Sequence, residues 1–149
     1  MTHKPEQLVL LLSDLQPGIH TETFNVEEFR KRFDRMVATV LRLADIHGTD
    51  REVSTLHIAA GGDFVEGEPY TRRINLSELD VDPKTLRIQD VLEQKQLLQT
   101  VLVKGIEQLH ERFPHIYLYG VGGNHGLGRG KDASTRSNDD TEVYLNTAL

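Results

Sequence analysis

The sequence predicts an α/β fold built on a parallel sheet, and three observations predict it. Three short apolar runs, Leu8 to Leu12, Val53 to Ala60 and Ile116 to Val121, have the length and composition of buried strands. Two long segments with apolar residues at helical spacing separate them, and connections of that length imply parallel neighbours joined by right-handed crossovers. Each apolar run also ends in a polar turn rich in glycine or proline, so chemistry-bearing residues gather at one edge of the sheet.

Taken in order, residues 1 to 7 are polar, and Leu8 to Leu12 form the first strand. Ser13, Asp14, Leu15, Gln16, Pro17 and Gly18 follow, and the Pro-Gly pair marks a turn directly after Asp14. Asp14 and Gln16, two apart, face the same side if the segment is extended. Asn25 and Glu28 read as a capping box with Phe24 and Phe29 as its hydrophobic staple, so a helix is expected from Val26. Phe29, Phe33, Met36, Val37, Val40, Leu41 and Ala44 form its core stripe, and Gly48 ends it. The second strand, Val53 to Ala60, ends in Gly61, Gly62, Asp63, Phe64, Val65 and Glu66, with His57 inside it as a satisfied structural histidine.

Residues 67 to 82 are polar and read as an excursion above the sheet edge. Asp82 and Pro83 are a cap and first residue for a second helix, with Ile88, Val91, Leu92, Leu98, Val101, Leu102, Ile106 and Leu109 as its apolar face and Pro114 as its stop. Gly105 within it costs about 1 kcal/mol against alanine and points to a close helix crossing. Ile116 to Val121 reads as a strand buried on both faces. It runs into Gly122, Gly123, Asn124, His125 and Gly126, where the glycines let the backbone turn and approach a ligand. Asp139 to Leu149 begins one more helix.

Composition narrows the chemistry. At 149 residues the chain is one domain's worth, and its 38% hydrophobic and 27% charged content is ordinary. It contains no cysteine, so disulfides and thiolate chemistry are excluded and any metal would be held by oxygen and imidazole. The net charge of −6 argues against a broad basic nucleic-acid surface. It leaves room for a metal enzyme acting on phosphates, because bound cations reverse the field of clustered carboxylates. No signal or membrane segment is visible near the N-terminus, and a cytoplasmic location is the expectation. The glycine-rich, basic stretch with Gly128, Arg129, Gly130, Lys131 and Arg136 matches neither a Walker loop nor a dinucleotide fingerprint, since both would need glycine where His125 stands.

Asp14 with Gln16, Asp63, and Asn124 with His125 thus converge at three strand ends, a set of hard oxygen donors and imidazole suited to Mn²⁺, Mg²⁺ or Fe. In this ordered set the chain resembles the calcineurin-like metallophosphoesterases, the superfamily of Mre11-type nucleases, and looks closest to their phage-encoded members. The family's Asp-x-His appears as Asp14-Leu15-Gln16, its Gly-Asp-x-x-Asp/Glu as Gly62 to Glu66, and its Gly-Asn-His as Gly123 to His125.

The resemblance implies the layered αββα metallophosphoesterase fold, present as its first βαβαβ half in a single domain spanning 1 to 149. It implies two divalent ions, Mn²⁺ or else Mg²⁺, Fe or Zn²⁺, with Asp14 and Gln16 on the first, Asp63 bridging and Asn124 on the second. His125 would contact the phosphate and protonate the leaving oxygen, Glu66 would orient the site, and Arg129 and Lys131 would meet phosphate. The expected activity is hydrolysis of phosphate esters by a phage-type nuclease or phosphodiesterase acting on DNA, RNA or a smaller ester.

Gln16 stands where the family has histidine, which favours Mn²⁺ or Mg²⁺ over zinc and iron. No histidine follows His125, although the family places further histidine ligands there; His20 is the one histidine located to substitute. A completing polypeptide or self-association is therefore expected, and the alternative is a noncatalytic assembly module that keeps the fold. The missing half would also supply the sheet that covers this one, so the isolated chain should expose apolar surface.

Overall fold

The computed structural model describes residues 5–66, 87–88, 91–123, 125 and 139–148. Asn124, Arg129, Lys131, Arg72, Arg73, Arg136 and the expected excursion over 67 to 82 lie outside the described residues.

Three strands, β1 (Glu6–Leu12), β3 (Val53–Ala60) and β5 (His115–Gly120), form a parallel sheet in the order β1-β3-β5. A two-stranded antiparallel ribbon pairs β2 (Ile19–His20) with β4 (Arg87–Ile88). The helices are α1 (Val26–Gly48), α2 (Val91–His110) and α3 (Asp139–Ala148). The α/β character with parallel strands joined through helices is as the sequence predicts.

The start of α1 follows from its cap: Asn25 Oδ1 accepts from the Glu28 backbone nitrogen at 3.0 Å. Glu28 does not complete the reciprocal half of the box; its carboxylate takes Arg32 at 2.8 Å, one turn on. The stripe Phe29, Phe33, Val37, Val40 and Ala44 is buried, as is Leu98, Val101, Leu102 and Leu109 on α2. Both stripes join Leu12, Leu56, Ile58 and Ala60 of the sheet in one core. The helices cross closely at Gly105, where a Cβ would lie 2.6 Å from the Phe33 ring and 3.3 Å from Val37. Gly105→Ala is therefore expected to destabilise the fold. The helix-propensity gain of about 1 kcal/mol is outweighed by overpacking that costs roughly 1–3 kcal/mol, and a Tm a few degrees lower in thermal unfolding checks it.

Three expectations need correction. The second helix is Val91–His110, and its expected start at Asp82 and Pro83 lies outside the described residues; Ile88, expected on its apolar face, instead pairs its backbone with Ile19 in the ribbon. Leu92 is exposed, and the buried place on that turn goes to Gln94. The third strand is not covered on both faces. Leu8, Leu10, Leu56, Ile58, Ile116 and Leu118 face the helices, whereas Val9, Leu11, Tyr117 and Tyr119 on the opposite face are 50–76% exposed. His57 lies among them, stacked on Tyr117 and Tyr119 and bonded to Gln7 Oε1 at 3.0 Å and the Tyr119 hydroxyl at 3.2 Å. It is the structural histidine expected. The exposed apolar surface foreseen for this chain is this open sheet face.

At the carboxyl end of the sheet, α3 braces β5. Tyr144 packs against Gly120, donates to the Val121 carbonyl at 3.1 Å and meets Phe64 edge-on at 5.0 Å between centroids. A Cβ at Gly120 would overlap the Tyr144 ring.

Candidate metal and phosphate site

The three strand ends do come together. Beyond β1 and β3 the ladder continues in the loops: Gly61 donates to Leu12 O at 2.6 Å, Asp14 to Gly62 O at 3.2 Å and Gln16 to Phe64 O at 3.0 Å. On the other side Val121 donates to Ala60 O at 3.0 Å. The β3 loop is therefore held between the other two.

Backbone strain marks the same residues. Asp14 (φ 54°), Gln16 (φ 34°) and Asp63 (φ 51°) are the non-glycine residues with positive φ among the described residues. Such conformations cost of order 1 kcal/mol or more each and persist where surrounding structure enforces them. This corrects the expectation that Asp14 and Gln16 share one face of an extended segment. The left-handed turns on either side of Leu15 send Leu15 against the core while Asp14 stays exposed and Gln16 half-buried.

Gly62, at φ 94°, shows what holds the loops in place. A Cβ there would lie 2.7 Å from the Gly123 nitrogen and 2.8 Å from its Cα. A Cβ at Gly123 would in turn overlap the Asp63 carboxylate and backbone nitrogen. The two loops meet backbone to backbone, which requires glycine on both sides. The contact carries the third motif to the second: the His125 nitrogen donates to Asp63 Oδ1 at 2.9 Å.

The His125 ring faces a buried acid. Its Nδ1 lies 3.4 Å from Glu66 Oε1, an ion-pair distance, with the Glu66 side chain 6% exposed and the histidine 34%. Neither His125 Nδ1 nor Glu66 Oε2 has an aligned hydrogen-bond partner among the described residues. Burial pushes the Glu66 carboxyl above its ordinary range, and His125 offsets this only in part.

The native state thus holds the Glu66 proton more tightly than the unfolded chain, so stability falls as pH rises from 4.5 to the raised native value. Glu66→Gln should remove that loss. The variant is expected to melt higher than wild type at pH 7 and to match it near pH 4, as thermal unfolding across pH would read.

Sequence reasoning missed the residue that places Glu66. Gln94 is fully buried in α2; its Oε1 accepts from the Glu66 nitrogen at 2.8 Å, and a Cβ on Gly18 would overlap its amide. The signal was present: Gln94 is polar yet lies three residues after Val91 and four before Leu98, on the apolar face.

The adjoining loops carry Asp14, Gln16, Asp63 and His125, whose side chains offer two carboxylates, an amide oxygen and an imidazole. Such oxygen donors suit a hard divalent cation. Asp14, Asp63, Glu66 and His125 are all described, and no group of three or more His, Cys, Asp or Glu with metal-site geometry occurs among the described residues; Asn124 lies outside them. His20 sits in β2, paired through its backbone with Arg87. No helix among the described residues is long and apolar enough to cross a membrane.

Comparison with protein-family models, curated proteins and solved structures returned no match.

Proposed function

We propose that the chain is a metal-dependent phosphoesterase domain of the calcineurin-like type, acting as a phosphodiesterase or nuclease. The observation that carries this reading is the coincidence of strain and chemistry. Asp14, Gln16 and Asp63 are held left-handed at adjoining strand ends, and His125 is tied to Asp63 through its own backbone. Asp tolerates the left-handed region in ordinary turns, so the support lies in three such polar residues, one of them Gln16, gathering at one edge.

By donor type alone, the residues would suit a divalent cation. Asp14, Gln16 and Asp63 offer oxygen donors, and Asn124 completes the set in the reading from sequence. When bound, such ions supply Lewis-acid polarisation of the phosphoryl group and neutralise its charge. The chain's own residues do the rest. Asp63 fixes the His125 main chain, and the Glu66 carboxyl faces the ring's Nδ1 at 3.4 Å. That leaves Nε2 to donate a proton to the departing ester oxygen, after which the imidazole is neutral. Burial of Glu66 keeps water from competing for Nδ1.

The test is hydrolysis of bis-p-nitrophenyl phosphate by the 149-residue chain with Mn²⁺ or Mg²⁺ and with EDTA. Metal-dependent turnover supports the reading, and rates equal to those with EDTA overturn it for this chain alone. The open sheet face favours a second reading, a noncatalytic assembly module, since Val9 and Leu11 offer apolar surface to a completing polypeptide or a second copy. Concentration-dependent association in light scattering, without hydrolysis, would support it.

A further inference from the structure

The loop after β1 and the first turns of α1 form an open-sided cavity of about 260 Å³ that the phosphate chemistry above does not use. Phe29 and Phe33, 4% and 6% exposed, close its inner end, and Leu15, Phe24 and Met36 line its sides. Asp14 and Arg32 stand at the mouth. The cavity therefore shares one wall residue, Asp14, with the candidate metal site.

Its outer wall is firmly built. The Thr21 nitrogen donates to Phe24 O at 2.7 Å and the Phe24 nitrogen donates to Thr21 Oγ1 at 3.0 Å, closing a turn that leads directly into the Asn25 cap. Phe24 is thus presented by paired hydrogen bonds. The Arg32 guanidinium lies over the Phe24 ring, 5.3 Å from its centroid, and is steered there by Glu28.

We propose that this cavity is the subsite for a planar ring carried by the phosphate ester, an aryl group or a nucleobase. Its volume lies below the roughly 300–1,000 Å³ of drug-sized pockets, which suits one ring system and not an extended chain. Its lining is aromatic and aliphatic, and rings pack against such walls edge-on or offset. The guanidinium at the mouth complements the anionic phosphate, and Asp14 sets where that phosphate sits if it holds a cation. The inference rests on the proposed function for the role of Asp14, while the ring's binding rests on the cavity alone.

Met36 permits a direct test, because the chain contains only two methionines and the other is Met1. With methyl-¹³C methionine, Met36→Leu assigns the cavity signal. In Mg²⁺, adenosine 5′-monophosphate or p-nitrophenyl phosphate is expected to shift the Met36 methyl by ring current, and glycerol 3-phosphate is not. Phe24→Ala, with Phe24→Leu beside it in case the former perturbs the turn, should weaken the ring-bearing ligand about tenfold and leave phosphate binding unchanged.

A shift from either ring-bearing compound supports the proposal, and which one acts tells base from aryl. No shift from either, an equal shift from glycerol 3-phosphate, or unchanged affinity in both Phe24 variants overturns it. Mn²⁺ broadening of the Met36 methyl, lost in Asp14→Asn, reports on the metal reading separately, so either idea can fail without the other.

Discussion

His125→Ala is expected to lower metal-dependent phosphodiester hydrolysis by an amount that depends on the leaving group. General acid catalysis by a positioned side chain contributes typically 10²–10⁴-fold, and the contribution grows as the leaving oxygen becomes more basic. A p-nitrophenolate leaves readily without a proton, so bis-p-nitrophenyl phosphate should lose on the order of tenfold. A dinucleotide, whose leaving group is an alkoxide, should lose about 10²–10⁴-fold. Glu66→Gln should share the direction of this dependence with a smaller amplitude, since it removes only the carboxylate charge facing Nδ1 at 3.4 Å. Equal losses on both substrates would show that His125 acts on something other than the departing oxygen. Single-turnover rates across a series of leaving groups are the measurement.

Gly62→Ala should be among the most damaging single-methyl additions in the chain. The residue has φ 94°, and its Cβ would lie within 2.8 Å of the Gly123 backbone, which has no flexible end to yield. Positive φ for alanine costs of order 1 kcal/mol or more, and separating two packed loops adds overpacking of roughly 1–3 kcal/mol. The sum is about 3 kcal/mol, or a Tm lower by roughly 10 °C for a chain of this size. Gly61→Ala is the control, because its Cβ would meet Ser13 Cβ at a tight 3.3 Å and Leu12 O at an ordinary 3.5 Å, without the positive φ of Gly62. Thermal unfolding in EDTA keeps any bound ion out of the comparison. A Gly62→Ala protein as stable as Gly61→Ala would mean the loops do not touch as described.

The parts of this structure legible in the sequence are those set by local periodicity. The α1 stripe, the Asn25 cap and the three apolar runs follow from spacing, because each is a property of neighbours within two turns. The close crossing at Gly105 was legible too, since glycine in a helix interior is unfavourable unless something needs the room.

What was not legible depends on distant partners. Ile88 reads as helical until Ile19 is known to lie opposite it. The strand Ile116 to Val121 reads as doubly buried because apolar side chains on a half-covered sheet look the same in one dimension. The left-handed turns at Asp14, Gln16 and Asp63 are invisible for the same reason, being imposed by hydrogen bonds to other loops. Gln94 could be seen as an anomaly on its helix, but its partner, the Glu66 backbone, could not.

The meeting of the Gly62 and Gly123 backbones also bears on when the site comes into being. It joins loops whose bonded residues, Asp63 and His125, stand 62 positions apart, so closing it costs more chain entropy than any pairing inside β1-α1-β3. A chain that has zipped β1 to β3 and packed α1 has most of its first core but no geometry at Asp63. Docking of β5 supplies that geometry, so the site is a property of the completed sheet.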